Sequence, residues 1–282
     1  MLSPRQAFED NIRPAVLLLR VYRLLENDTV HTEHELVTAM RQLLSASADE
    51  ELMLIHNSIF VGLIREGAQM PRASLKKASL CNLLRQSVVT ACTALETYLP
   101  SLLRENLPTV IAVKGRSFFP ADKDVQKSFE GMTFNLPETL RLLNEPDAPQ
   151  YIANKLLSFI NFKYLSGSKG IYSVATLLTI DDAWNRISER LGQNVDSIQK
   201  QIDDTVGRRN DIVHRADRSQ RKPDSDVQEI GYAWSKQSID IIANVGYALD
   251  ELVEARIGEL KAEILASKLE SQTGLALPLE TA

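Results

Sequence analysis

The sequence predicts an all-α protein, an up-and-down helical bundle with an N-terminal helical extension. Three observations predict it. Apolar residues recur at spacings of three and four through nearly every segment, the period of a helix buried on one face. Glycine and proline number 12 and 11 in 282 residues, too few for the tight turns of an all-β fold. Hydrophobic residues make up 44% and charged residues 24%, enough to bury a core and too apolar for a disordered chain.

Residues 5–26 read as a first helix with Phe8, Ile12 and Leu19 among its apolar positions, and Pro14 bends or restarts it. A second helix is expected near Thr32 and a third near Asp49. The break Gly67-Ala-Gln-Met-Pro71 marks a boundary, so residues 1–70 form an N-terminal helical segment and 71–265 the bundle. A long helix runs from Arg72 to Leu99 with Cys81, Leu84, Val88, Cys92, Leu95 and Leu99 in one buried stripe, and Pro100 ends or kinks it. Five prolines between 107 and 150 predict short helices and loops, followed by a helix over 149–165. Ser166-Gly-Ser-Lys-Gly170 resembles a phosphate loop but lacks its spacing, and reads as a plain loop. Helices are expected over 180–191, stopped by Gly192, and over 194–216. The last long helix carries Val227, Ile230, Trp234, Ile241, Val245, Leu249 and Leu252 and extends past Leu265, and 266–282 reads as a fraying tail.

Composition narrows the function. A net charge of −5 argues against a globally basic nucleic-acid binder and leaves room for a local basic site. Cys81 and Cys92 sit eleven residues apart on one predicted helix, about 16 Å along its axis, too far to bridge. They read as buried free thiols in a reducing compartment. The apolar run Ala15–Leu19 is too short for a signal core or a span, so a soluble cytoplasmic protein is expected, with no membrane partner.

One helix breaks its own pattern. Val195, Ile198, Ile202, Val206 and Val213 form a stripe in which position 209 is arginine. A guanidinium in an apolar stripe is costly unless it is paired or faces an interface. Asn210 and His214 lie four apart on one flank, so Arg209, Asn210 and His214 are expected to converge near the helix end. Arg208, Arg209, Arg215, Arg218, Arg221 and Lys222 surround them against only Asp211 and Asp217, a positive patch suited to phosphate. Glu96 sits in the buried stripe of the earlier helix and predicts an Arg209–Glu96 contact, either a structural ion pair or one that also orients the arginine.

Arg209-Asn-Asp-Ile-Val-His214 resembles the Arg-x4–6-His motif of the HEPN superfamily, with a polar residue after the arginine. Arg85-Gln-Ser-Val-Val-Thr-Ala-Cys-Thr-Ala-Leu-Glu-Thr-Tyr-Leu99 resembles the early bundle helix of these domains, and the pair looks most like the RiboL-PSP type. The resemblance covers roughly residues 72–255 and leaves 1–70 unmatched. It implies a helical bundle that dimerises, and a metal-independent endoribonuclease that needs no cofactor. Such a protein works as a toxin or antiphage-defence effector, with a cognate antitoxin or defence-system partner. The alternative is a HEPN module that has lost activity and binds RNA or a protein partner.

The chemistry needs no metal, because RNA carries its own nucleophile, the 2′-OH. His214 then serves as acid and base, Arg209 stabilises the transition state and Asn210 orients. Glu96 supports Arg209 from behind, while Arg208, Arg215 and Arg218 contact RNA phosphates. Other candidates read as structural. His31 and His34 lack a third metal ligand and begin a solvated helix. His56 reads as a packed histidine, Tyr98 and Tyr247 as packing residues, Trp184 and Trp234 as core anchors, and Asp203-Asp204 as a solvated acidic face.

Overall fold

A computed structural model describes residues 2–26, 30–31, 35–115, 118, 132–159, 165–219 and 225–273. His34, Arg221, Lys222 and the tail beyond Thr273 lie outside the described residues, as does the side chain of His31. Nine α-helices are described: α1 Pro4–Leu25, α2 Glu35–Leu43, α3 Lys77–Lys114, α4 Leu136–Asn144, α5 Ala148–Phe159, α6 Gly167–Leu177, α7 Ala183–Leu191, α8 Val195–Arg215 and α9 Tyr232–Thr273. Three short strands accompany them: β1 Val30–His31, β2 Leu52–His56 and β3 Val61–Arg65. Among the described residues the chain is an all-α bundle carrying one small sheet.

Two compact units interleave along the chain. The first comprises Met1–Asp10, Cys92–Val206 and Ile241–Ala282, the second Asn11–Ala91 and Gly207–Asp240. Each of α1, α3, α8 and α9 contributes residues to both.

In the first unit α3 continues through Pro100 and Pro108 without ending at either. Neither proline can donate a helical hydrogen bond, a loss of about 3 kcal/mol each. Leu95, Leu99, Leu102, Leu103, Leu107 and Val110 are all buried around them. At roughly 1.5–3 kcal/mol per buried aliphatic side chain, packing outweighs the missing bonds. Tyr98 sits in the same core, its hydroxyl donating to Asp250 at 2.6 Å, with Arg5 reaching the same carboxylate at 3.3 Å. Burial first, and the Asp250 bond second, push the Tyr98 phenol far above its ordinary range. It therefore stays a donor wherever the protein is folded.

The glycine-rich Ser166–Gly170 segment is the start of α6 rather than a plain loop. Gly167 has φ +70°, and a Cβ there would lie 2.7 Å from Asp203 Oδ1. Asp203 reaches across from α8 to accept from the Ser168 N–H at 2.8 Å and from its hydroxyl at 2.7 Å. Asp203 and Asp204 are exposed, as a solvated acidic face requires, and Asp203 also satisfies an otherwise orphaned donor at a helix start.

In the second unit the expected third helix is a hairpin. β2 is central in a sheet ordered β1-β2-β3, antiparallel throughout, with Leu52 opposite Arg65 and His56 opposite Val61. Leu52 and Leu54 pack on Val37, while Met53 and Ile55 pack on Leu75. Both faces of β2 are therefore covered, and the strand reads as an unbroken apolar run, which periodicity cannot tell from a helix. Asn57 holds the turn. Its side chain accepts from the Ile59 and Phe60 N–H groups at 2.9 Å each. It also donates to the carbonyls of Arg23, Leu24 and Glu26 just at the end of α1. His56 is exposed at the strand end, so it is not the packed histidine its neighbours suggest.

Candidate functional site

The site is built on the last turns of α8. Ile198, Ile202 and Thr205 are buried at spacings of four and three, and Arg209 continues that line, half-buried. The stripe then leaves the interior, since Val213 is 51% exposed. Asn210 and His214 are exposed. At 3.6 residues per turn they lie about 40° apart on one face, whereas Arg209 and His214 lie about 140° apart. The helix thus joins Asn210 to His214 and turns Arg209 toward another flank, so the expected convergence of all three within one copy is not produced by α8 alone. Glu96 lies half-buried on α3 between buried Cys92 and Leu99.

The backbone just beyond His214 is tightly anchored. α8 ends at Arg215, and Ala216 and Asp217 take φ +50° and +60°, the left-handed region that side chains resist. The chain doubles back so that the Asp217 N–H meets the Asp211 carbonyl at 3.0 Å. The Asp217 side chain is fully buried between two guanidiniums, Arg85 at 2.7 Å and Arg208 at 2.6 Å. Arg85 also donates to the Gln228 carbonyl, and Arg208 to the Gln228 side chain and the Glu229 carbonyl. Arg208 lies 5.6 Å over the ring of Trp234, which makes that residue a platform for a cation as well as an anchor. The Asp217 carbonyl accepts from the Gln228 N–H at 2.8 Å, and Arg218 bridges Val227.

This clamp changes the reading of the basic patch. Arg208, expected at RNA phosphate, is only 18% exposed and commits its donors inside the protein. Arg215 pairs with Asp211 at 3.3 Å on the helix surface, and Arg218 donates to the Ser225 carbonyl. Sequence reasoning misses Arg85, Asp217 and Gln228 as site residues. The one signal for them is Asp217 itself, one of only two acids, with Asp211, among Arg208, Arg209, Arg215 and Arg218, beside a helix whose Arg85 comes directly after the stripe residue Leu84.

Among the described residues, no three His, Cys, Asp or Glu side chains gather as metal ligands. Cys81 and Cys92 are buried free thiols. Among the described residues no helix is long and apolar enough to cross a membrane. A family model described as RiboL-PSP-HEPN matches residues 69–255, more than half of the 282-residue chain. The chain matches no curated protein and no solved structure.

Proposed function

The chain belongs to the RiboL-PSP-HEPN family, and from that premise we propose that it is a metal-independent endoribonuclease that works as a homodimer in the cytoplasm, as a toxin or antiphage effector. HEPN domains commonly bind RNA and often form dimers. The observation that carries the reading is the placement of the motif: Asn210 and His214 exposed together on the last turns of α8, with the chain beyond them anchored by buried Asp217.

The proposed reaction runs in one displacement. His214 takes the proton of the 2′-OH, whose oxygen attacks the adjacent phosphorus. The bond to the 5′-oxygen breaks, and that oxygen receives a proton from an imidazolium. The products are a 2′,3′-cyclic phosphate and a 5′-hydroxyl. Arg209 donates to the phosphoryl oxygens as charge builds there. Asn210, one turn before His214, orients the imidazole or holds a phosphate oxygen. Because α8 points Arg209 and His214 to different flanks, the reading places the arginine of one copy with the histidine of the other. Arg215 and Arg218 are the proposed phosphate contacts. Arg208 acts through the Asp217 clamp.

His214→Ala tests the reading. Cleavage of single-stranded RNA should fall at least about a hundredfold, the scale of a lost proton-transfer group. RNA affinity should stay within about threefold, since phosphate contacts dominate it. Unchanged cleavage would remove His214 from the chemistry. RNA binding with no cleavage by the wild type would point instead to a module that binds RNA without cutting it.

A further inference from the structure

The sheet of the second unit lies before residue 69, outside the family match, and its β3 edge is open. β1, at one side, is two residues long, whereas β3, at the other, runs for five. β3 carries none of the usual devices that keep an edge from pairing. Val61–Arg65 holds no lysine and no proline, and its one-to-one register with β2 has no bulge. The Asn57 N–H donates to the Phe60 carbonyl at 2.8 Å, so the Phe60 backbone points toward β2. Alternation along an antiparallel strand then turns Gly62 and Ile64 toward β2, and Val61, Leu63 and Arg65 outward. Among the described residues, no backbone partner meets these three on the outer side. Both apolar layers of the sheet also stop here. Leu63 borders the cluster of Val37, Leu52 and Leu54, and Ile64 that of Met53, Ile55 and Leu75, yet each stays only partly buried. Val61 is 63% exposed.

The strand that fits this edge is β3 itself. Turned antiparallel about a two-fold axis at Leu63, a second copy sets its Leu63 against Leu63, its Arg65 against Val61 and its Ile64 against Gly62. Every outward N–H and C=O of Val61, Leu63 and Arg65 then has a partner, and no like charges oppose. Arg65 brings no net charge with it, since Glu50 holds its guanidinium through bonds of 2.7 and 2.8 Å. At Gly62 a Cβ would come within 2.5 Å of the Phe60 ring, so that ring covers the place a side chain would take. Ile64 of the second copy would lie beside it, a β-branched residue against an aromatic one. A strand of another sequence would have to reproduce this pattern of apolar and charged positions.

We propose that β3 is a self-association edge: two copies of the chain pair their β3 strands antiparallel, with Leu63 at the two-fold axis, into one continuous sheet of three strands from each copy. Five paired residues span about 17 Å and bury less than the roughly 800 Å² per partner of a standard interface, so the contact is reversible and depends on concentration. The proposal does not rest on the endoribonuclease reading. If chains also dimerise through α8, two different two-fold contacts per chain build assemblies larger than a dimer.

The test uses the full chain. Sedimentation equilibrium should show reversible association of the wild type. Val61→Pro deletes an outward N–H and no bond to β2. It should weaken one association step at least about tenfold, since each copy loses a cross-strand bond and the ring obstructs the approach. Its circular dichroism should match wild type. Leu63→Cys reads the axis directly, because Cα atoms opposed there would be about 5.5 Å apart, within disulfide range. Mild oxidation should link Leu63→Cys into dimers on a denaturing gel and leave Ser58→Cys, at the exposed turn, unlinked. The native Cys81 and Cys92 are buried. The Leu63 and Arg65 amides of wild type should exchange more slowly as concentration rises, while those of Gly62 and Ile64 change little. If Val61→Pro does not fold, the cross-link and the amide exchange decide. Association that folded Val61→Pro leaves unchanged in every step overturns the proposal, as does a Leu63→Cys protein that links no more than Ser58→Cys. A wild type that stays monomeric at every concentration also overturns it, and leaves the edge to a strand of another protein. None of these readouts involves RNA, so they stand or fall apart from the nuclease reading.

Discussion

Asp217 is fully buried, pairs with two guanidiniums, and lies three residues beyond His214, the proposed acid and base. Its carboxylate is opposed by two guanidiniums that are themselves 13% and 18% exposed. Removing it leaves two cations facing each other with their solvation already lost. Asp217→Ala should therefore destabilise the fold by about 3–5 kcal/mol, read from chemical denaturation. Asp217→Asn keeps the shape and one acceptor, and should cost less while still lowering kcat. The rescue expected of Asn separates a buried-charge effect from simple loss of packing. A stability change under about 1 kcal/mol in both variants would show that the clamp does not hold this turn. The motif residues themselves are legible in the sequence, because Arg209 interrupts an apolar stripe and Asn210 and His214 are four apart. The clamp is not. Arg85 and Asp217 are 132 positions apart in the chain, and only the fold brings them to 2.7 Å. Arg208 is legible as a cation but not as a committed one, since composition cannot tell a phosphate contact from an internal ion pair.

At the scale of elements, period and punctuation account for most helices. Gly192, at φ +61°, ends α7 where the sequence places its stop. The failures have physical causes. Pro100 and Pro108 read as breakers, yet burial of the leucines around them keeps α3 continuous. β2 has both faces covered, so its Leu52–Ile55 run shows no alternation. The α4–α5 pair offers a test in acid. Glu138 of α4 accepts from Lys155 of α5 at 2.5 Å and also closes a capping box with Asn135. The Lys155 hydrogen bond, and then the Asn135 N–H, hold its carboxyl below the usual carboxylate range. A lowered folded value means that the contact stabilises fully above the ordinary carboxylate pKa and is lost as pH falls through the folded one. The protection of α4 amides, taken relative to their intrinsic exchange rate at each pH, should therefore fall between about pH 5 and pH 3. In Lys155→Met that loss of protection should shrink. An identical profile in both proteins would contradict the assignment.

At the scale of the whole molecule, the chain is a helical bundle of the RiboL-PSP-HEPN family, and the reaction proposed for it is one that RNA half-performs itself. The proposed reaction makes assembly part of the chemistry, because α8 carries Arg209 and His214 about 140° apart. Mixing inactive Arg209→Ala with inactive His214→Ala should then regain measurable cleavage through mixed dimers. A mixture no more active than its parts would confine both residues to one copy. The central claim is that His214 lets the RNA 2′-OH attack its own phosphate without a metal. The direct measurement is the end chemistry of RNA fragments made by purified wild-type protein in excess chelator. The expected result is undiminished cleavage with 2′,3′-cyclic phosphate and 5′-hydroxyl ends. Fragments ending in 3′-hydroxyl and 5′-phosphate, or cleavage that stops when chelator is added, would contradict it.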